Sequence, residues 1–275
     1  MSERYLKDNL DLWDERVADH LDTELYAMDA FMKGASSLTD IEKDALGDVS
    51  GKSMLHLQCH FGQDSLSWVR EGARVTGVDF APSAIANARK LSEVLSLPAR
   101  FIESDIYGLP RVLDDRFDIV FTSYGVLKWL PDIYRWGEVV SRFLKPGGMF
   151  FVVEFHPFLY VFDYETATKI EHTYFVGKDP ISYDEVGTYA NIGGANQKVR
   201  RAHSWPHPVS RVISSLLAAG LVLDSFEEFP YSTIDCFPFT KEVSPGRYMH
   251  SEYPGMVPML YSVKAHKPTS NDENP

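Results

Sequence analysis

Residues 54–68 read MLHLQCHFGQDSLSW. An apolar strand-like run, a tight polar segment and the start of a helix follow one another, the order found at a nucleotide-binding turn, yet only Gly62 stands where two or three glycines are usual. The runs that follow repeat the rhythm: ARVTGVDF (73–80) and then a helix from Pro82, ARFIESD (99–105), FDIVFTSYG (117–125), a helix from Asp132 to Leu144, and KPGGMFFVVEF (145–155). Strands alternating with helices at this spacing predict crossover units and a parallel sheet. Pro82 suits a first helical turn, and Gly147-Gly148 reads as a helix stop that opens a strand.

Around that segment the organisation is simpler. Leu21, Leu25, Met28 and Met32 recur at helical spacing, so residues 1–50 are expected to form an amphipathic helical cap. Residues 156–206 break the rhythm with a crowd of aromatics and the glycine-containing NIGGANQ (191–197), and are expected to form a flexible lid or insertion. Order returns with a helix from Pro208 that carries Val209, Val212, Ile213, Leu216 and Leu217 on one face and stops at Gly220. LVLDSFEEF (221–229) and MVPMLYSVKAH (256–266) bring the strand count to seven, before a tail over 267–275 expected to fray. The main domain is therefore drawn over 51–266.

With 275 residues, 44% hydrophobic and 24% charged, the chain is long enough for one substantial core. Its formal charge of −12 disfavours nucleic acid and anionic membrane surfaces as partners. Two distant cysteines, Cys59 and Cys236, provide neither a disulfide framework nor a metal knuckle, so no metal is expected. No signal core or apolar run of membrane-spanning length is present, and a cytoplasmic location is expected.

Ligands of open parallel sheets bind beyond the carboxyl ends of the strands. Those ends are Gln58 to Gly62, Asp79-Phe80, Ser104-Asp105-Ile106 and Thr122 to Gly125. Asp79, about 20 residues past the first turn, is placed to accept hydrogen bonds from the ribose hydroxyls of an adenosine ligand, although an acid before a helix also serves as a cap. Asp105 is placed to accept from an adenine amino group, with Phe80 and Ile106 over the ring faces.

These stretches, LHLQCHFGQDSL, VTGVDFAPSAIANARK, ARFIESDIYGLP, FDIVFTSYGVLKWLPD and LKPGGMFFVVEF, together resemble the class I S-adenosylmethionine-dependent methyltransferases. The resemblance implies a Rossmann-like seven-stranded α/β fold with one antiparallel strand, helices on both faces, and S-adenosyl-L-methionine (SAM) as cofactor. Family members usually carry an acid-x-Gly-x-Gly-x-Gly turn. Here His56 occupies the acid's position, Gln58 and His60 the first two glycine positions, and Gly62 the third. SAM has no phosphate, so side chains and backbone carbonyls can meet its methionine end, and Gln58, His60, Gly62, Gln63, Asp79, Phe80, Ser83, Ser104, Asp105, Ile106, Ser123 and Tyr124 are the expected cofactor contacts. Gln58 and His60 could equally fill the turn.

Methyl transfer from a sulfonium needs chiefly alignment and exclusion of water. Trp13, Tyr26 and Tyr124 are candidates to line the methyl site, and Trp205 to contact the acceptor. A hydroxyl or protonated-nitrogen acceptor gains from a general base, for which His156 and His207 rank ahead of His172, His203 and Glu154; Tyr124 completes the catalytic candidates. The expected activity is methylation of an O or N atom of a small molecule. Rival readings are a non-catalytic partner subunit whose turn is packed shut by His60 and Phe61, a nicotinamide-dependent oxidoreductase, disfavoured by the absence of G-x-G-x-x-G, and a methyltransferase of protein or RNA.

Overall fold

Period-two alternation sends neighbouring side chains to opposite faces of each strand, and the core follows it. The computed structural model describes residues 3–191 and 198–269. Three helices open the chain: α1 (Glu3–Leu21), α2 (Met28–Met32) and α3 (Asp40–Leu46). Then come β1 (Ser53–Leu57), α4 (Gln63–Arg70), β2 (Arg74–Asp79), α5 (Pro82–Val94), β3 (Arg100–Glu103), β4 (Phe117–Ser123), α6 (Ile133–Phe143) and β5 (Leu144–Phe155). After these lie β6 (Ile181–Val186), β7 (Val199–Ser204), α7 (Val209–Ala218), β8 (Val222–Phe229), β9 (Thr240–Ser244), β10 (Arg247–His250) and β11 (Leu260–His266).

Seven strands form one sheet in the order β3-β2-β1-β4-β5-β11-β8. The first five run parallel, and β11 is antiparallel to both neighbours. All seven expected strands are in it. On one face Leu55, Leu57, Val120, Phe150 and Val152 bury against Trp136, Val140 and Phe143 of α6 and Val212 and Leu216 of α7. On the other, Met54, Val75, Phe121, Phe151 and Val153 meet Leu38, Leu46 and Trp68, while Phe101 packs with Leu66, Ile85 and Ala88. The sheet is thus covered on both sides, as parallel strands require.

Three details depart from the sequence reading. The Leu21–Met32 stripe is not one helix: α1 ends at Leu21, a turn intervenes, and α2 restarts after Ala27, whose φ of 42° breaks the helical run. The strand expected to open after the Gly147-Gly148 pair begins earlier, at Leu144. Four strands outside the main sheet were not foreseen. β6 and β7 form an antiparallel hairpin inside the insertion, and β9 and β10 form another between β8 and β11. Of the NIGGANQ segment, residues 192–197 lie outside the described residues, as do 270–275 of the tail.

Hairpin β6/β7 matters for the site because α1 is clasped to it. Asn9 Nδ2 donates to the His203 carbonyl at 2.8 Å and Asn9 Oδ1 accepts from the His203 N–H at 2.9 Å, both buried. At its other side α1 reaches the start of α5, where Asp14 Oδ1 accepts the Ser83 N–H at 2.6 Å. The cap therefore bridges the insertion and the sheet.

Candidate functional site

The turn after β1 shows how the missing glycines are accommodated. Gln58, His60 and Gly62 have φ of 55°, 50° and 80°, so all three positions occupied by glycine in the family pattern keep the left-handed backbone. For Gln58 and His60 that conformation costs about 1–2 kcal/mol each. Gly62 has no such freedom to change. A Cβ there would lie 2.8 Å from the Phe101 ring and 3.0 Å from Ala88 Cβ, where the turn crosses β3 and α5.

The two added side chains leave the turn open. Gln58 Nε2 donates across the sheet end to the Val126 carbonyl at 3.0 Å, and its Oε1 is buried without a hydrogen-bond partner among the described residues. His60 turns to the cap: its Nε2 is 2.9 Å from His20 Nδ1, and His20 Nε2 is 2.6 Å from Thr188 Oγ1. Its ring also packs edge-on against Trp13 at 5.7 Å. Burial holds His60 down to about 3, so it is neutral near pH 7. Gln63 Nε2 donates to the Tyr26 carbonyl at 2.6 Å and ties the same cap to α4.

At the family's acid position stands a histidine, and a carboxylate is supplied from elsewhere. His56 is buried, neutral and held down to about 3 by desolvation, with Nδ1 2.8 Å from Ser65 Oγ and Nε2 3.4 Å from Ser123 Oγ. Ser123 Oγ also donates to Asp64 Oδ2 at 3.1 Å, and Ser37 Oγ donates to Asp64 Oδ1 at 2.6 Å. Burial pushes the Asp64 carboxyl up to about 6. The acid has in effect moved from the end of β1 to the first turn of α4, two residues beyond Gly62. An acid just after the last glycine was a legible signal, and Asp64 was not among the expected contacts.

Asp79 accepts the His60 N–H on Oδ2 at 2.8 Å and the Ala81 N–H on Oδ1 at 3.0 Å. The capping role and the ligand role are therefore compatible, since each carboxylate oxygen keeps a second lone pair. Desolvation raises Asp79 to about 6. Asp105 sits exposed at the rim and accepts the Gly108 N–H at 2.9 Å, while Ile106 beside it is buried.

These groups share a cavity of about 1360 Å³. It is lined on the sheet side by Gln58, His60, Gly62, Gln63, Asp64, Asp79, Phe80, Ser104, Asp105, Ile106, Ser123 and Tyr124, and on the cap side by Trp13, Tyr26, Tyr164 and Tyr189. Tyr26 and Tyr189 bridge the cap and the insertion through their hydroxyls at 2.5 Å. Tyr124 OH donates to Glu42 Oε2 at 2.9 Å and lies 3.1 Å from Thr39 Oγ1. Phe61, expected in one rival reading to pack the turn shut, is buried beside Tyr26 at a 4.9 Å ring separation, leaving the cavity beyond it.

Other candidates stand apart from this lining. His156 faces Glu228 at 2.9 Å and accepts the Phe158 N–H at 3.2 Å, capping a short 3-10 turn. His207 contacts the Leu130 carbonyl at 2.6 Å and is held down to about 4 by burial. Trp205 donates to the Lys178 carbonyl at 3.1 Å, His203 faces Asp8 at 3.0 Å, and Ser83 uses its N–H on Asp14. Glu154 accepts the N–H groups of Gly125, Val126 and Leu127 and so shapes the β4 turn. His172 is the one expected histidine base that reaches the cavity, at its exposed mouth. Among the described residues there is no cluster of His, Cys, Asp and Glu suited to a metal.

Comparison with known proteins agrees with this arrangement. Residues 55–152 match the family model described as a methyltransferase domain. Over 86 residues the chain is 41% identical to a demethylmenaquinone methyltransferase of Thermus thermophilus, covering 31% of this chain and 38% of that one. It is 31% identical over 123 residues to a ubiquinone biosynthesis O-methyltransferase of Pseudomonas syringae, covering 43% of this chain and 52% of the other. The chain thus spans about half or less of the length of these two relatives. The DhpI–SAH complex structure superposes with a TM-score of 0.56 at 19% identity, over 98% of this chain and all of that one, which shows a shared fold. Residues 55–152 thus carry a methyltransferase domain, and the sheet order and the turn with three left-handed positions agree with the class I S-adenosylmethionine-dependent methyltransferase fold that the sequence resembles.

Proposed function

We propose that the protein transfers the methyl group of SAM to an oxygen or nitrogen of a small molecule held between the sheet ends and the cap. The observation that carries this reading is the left-handed backbone at Gln58, His60 and Gly62, which keeps the family's turn open where glycine is absent. Bound SAM supplies an electrophilic methyl on a sulfonium. The residues present fit it. Asp79 has lone pairs left for ribose hydroxyls; Asp105, Ile106 and Phe80 offer an acceptor and two apolar faces to adenine. The unpartnered Gln58 Oε1 and the Asp64 carboxylate are the acceptors available to an ammonium group.

The rest of the chain positions and dries the site. Trp13, Tyr26 and Tyr189 close it from the cap side, and methyl transfer by in-line displacement gains most from such alignment. Tyr124, whose proton is engaged by Glu42, can accept a hydrogen bond from the acceptor's own O–H or N–H. With His56 and His60 held neutral far below pH 7, the exposed His172 is the better placed base for a proton leaving through the mouth. In this reading residues 1–50 act as a cap, 51–266 as the methyltransferase domain, 156–206 as its lid and 267–275 as a tail. Small acceptors, no nucleic acid and a cytoplasmic setting accord with the −12 charge, two buried free cysteines and the lack of any described helix long and apolar enough to cross a membrane.

Titration calorimetry with SAM and S-adenosylhomocysteine (SAH) tests the reading. Both are expected to bind, and Asp79→Ala to weaken binding by about tenfold or more, the worth of a charge-assisted hydrogen bond. Folded protein that takes up neither ligand at millimolar concentration overturns it.

A further inference from the structure

Most half-buried arginines of this protein are visibly paid off by hydrogen bonds. Arg70 donates to the Ala35 and Phe31 carbonyls at 2.7 and 2.8 Å, Arg89 to the Phe101 carbonyl at 2.8 Å, and Arg200 faces Glu15 at 3.0 Å and Asp19 at 3.5 Å, leaving Nη1 alone unpartnered among its nitrogens within the described residues. Arg16 is different. Its side chain is 0% exposed, yet Nε and Nη1 have no hydrogen-bond partner among the described residues. Among the described residues its single charge contact is Nη2 to Glu185 Oε1 at 2.6 Å, on β6 of the insertion; Glu185 is a quarter exposed, with its Oε2 buried and unpartnered.

A guanidinium has five N–H donors, and each one buried without an acceptor costs about 1–3 kcal/mol. A strut that merely joined α1 to β6 would meet that cost with backbone carbonyls, as Arg70 and Arg89 do. Arg16 instead lines the cavity described above, with its Cζ 5.3 Å from the Trp13 ring, and the Tyr189 ring lies 6.3 Å from Trp13. A second cation lines the same space: Lys128 Nζ lies 4.5 Å from the Tyr160 ring and 4.8 Å from the Trp129 ring, with no ion pair among the described residues. The acids on the insertion side of the mouth, Glu165, Glu171 and Asp184, are exposed to solvent and screened, whereas the Arg16 donors are dry.

We infer that Arg16 anchors an oxyanion, carboxylate or phosphate, carried by an aromatic or otherwise flat methyl acceptor whose body packs against Trp13 and Tyr189. The inference rests on the proposed methyl transfer for the word acceptor alone, since the anion site is defined by cavity, burial and unmet donors. It gives the cap a part in specificity. Glu185 then acts as a competitor for the guanidinium, holding it in the empty site and yielding part of it to the ligand.

The full-length protein, saturated with SAH, is titrated by calorimetry with benzoate, 4-hydroxybenzoate, phenylacetate and 2-naphthoate, each beside its uncharged amide, and with phenyl phosphate beside phenol. At least one anion is expected to bind tenfold or more tightly than its neutral counterpart, and the better of the carboxylate and phosphate arms identifies the oxyanion. Arg16→Met should erase that preference and Arg16→Lys should keep part of it, with SAH affinity held within threefold. Glu185→Gln, which removes the competitor, should tighten the anion, and it keeps the test open if Arg16→Met fails to fold. No anion preferred over its neutral partner, a preference that survives in Arg16→Met, or anion binding unchanged or weakened in Glu185→Gln each overturns the inference. Loss of SAH binding in the wild type, with anion preference intact in its absence, overturns the methyl-transfer reading instead and leaves the anion site standing.

Discussion

The two walls of the cavity are built on opposite principles. The sheet wall comes from four consecutive strand ends, Gln58 to Gly62, Asp79-Phe80, Ser104 to Ile106 and Ser123-Tyr124, each placed by the strand just before it. The cap wall comes from α1 and the insertion, whose contacts join residues more than 160 positions apart, such as Asn9 with His203, His20 with Thr188 and Tyr26 with Tyr189. A wall of the first kind is fixed by local chain geometry, one of the second kind by a few buried polar clasps. The contrast implies that the sheet wall fails by steric damage to the fold, and the cap wall by losing its clasps while the sheet survives.

The largest effects should break the two walls separately. Gly62→Ala forces a Cβ to 2.8 Å from the Phe101 ring at a φ of 80°, and about 3 kcal/mol of global stability should be lost in denaturant unfolding. Asn9→Ala strips both partners from the buried His203 backbone and should cost about 2–4 kcal/mol. In that variant hydrogen exchange should accelerate in α1 and β6/β7 well before the main sheet. Uniform acceleration throughout would contradict the separation of the walls.

Ionisation sharpens the comparison at the sheet wall. Asp64 and Asp79 are both raised to about 6 by burial, above the unfolded value near 4. Between roughly pH 4 and pH 6 the folded state then binds more protons than the unfolded one, so stability of the ligand-free protein should fall as pH rises through that window. Ligand affinity should run the other way, because in the proposed function the ionised carboxylates are the acceptors. SAM binding is expected to weaken below about pH 6 and to release protons when measured near it, and Asp64→Asn should reduce that release.

The smallest expected effect concerns the turn itself. His60→Gly relieves about 1 kcal/mol of left-handed strain but removes the contact with His20, so global stability should change by less than about 1 kcal/mol. Exchange protection in α1 should nevertheless drop, since His60 links the sheet wall to the cap. Gln58→Gly, which among the described residues removes one side-chain hydrogen bond, to the Val126 carbonyl, should leave α1 protection unaltered.

Much of this was readable along the chain. All seven strands of the main sheet, and the strand-end positions Asp79 and Asp105, follow from period-two apolar runs and turn residues, which act within a few positions of themselves. The hairpins β6/β7 and β9/β10 were hidden for different reasons: β9 is almost wholly exposed over Thr240–Ser244, whereas β6 and β7, ISYDEV and VRRAHS, alternate or bury in part but are too polar to read as apolar runs. His156, His207 and Trp205 read as site residues from their neighbourhood in sequence, yet their polar atoms are spent on Glu228, the Leu130 carbonyl and the Lys178 carbonyl.

The sequence by itself determined the sheet, its crossover rhythm and the crescent of strand ends that lines the cavity, because burial of alternating side chains is a local pattern. Only the tertiary structure decided that Gln58 and His60 adopt glycine's backbone, that Asp64 carries the carboxylate absent at His56, and that Arg16 is sealed in the cavity with donors to spare. Those outcomes depend on which distant segments close over the sheet ends, and no spacing within the chain encodes that closure.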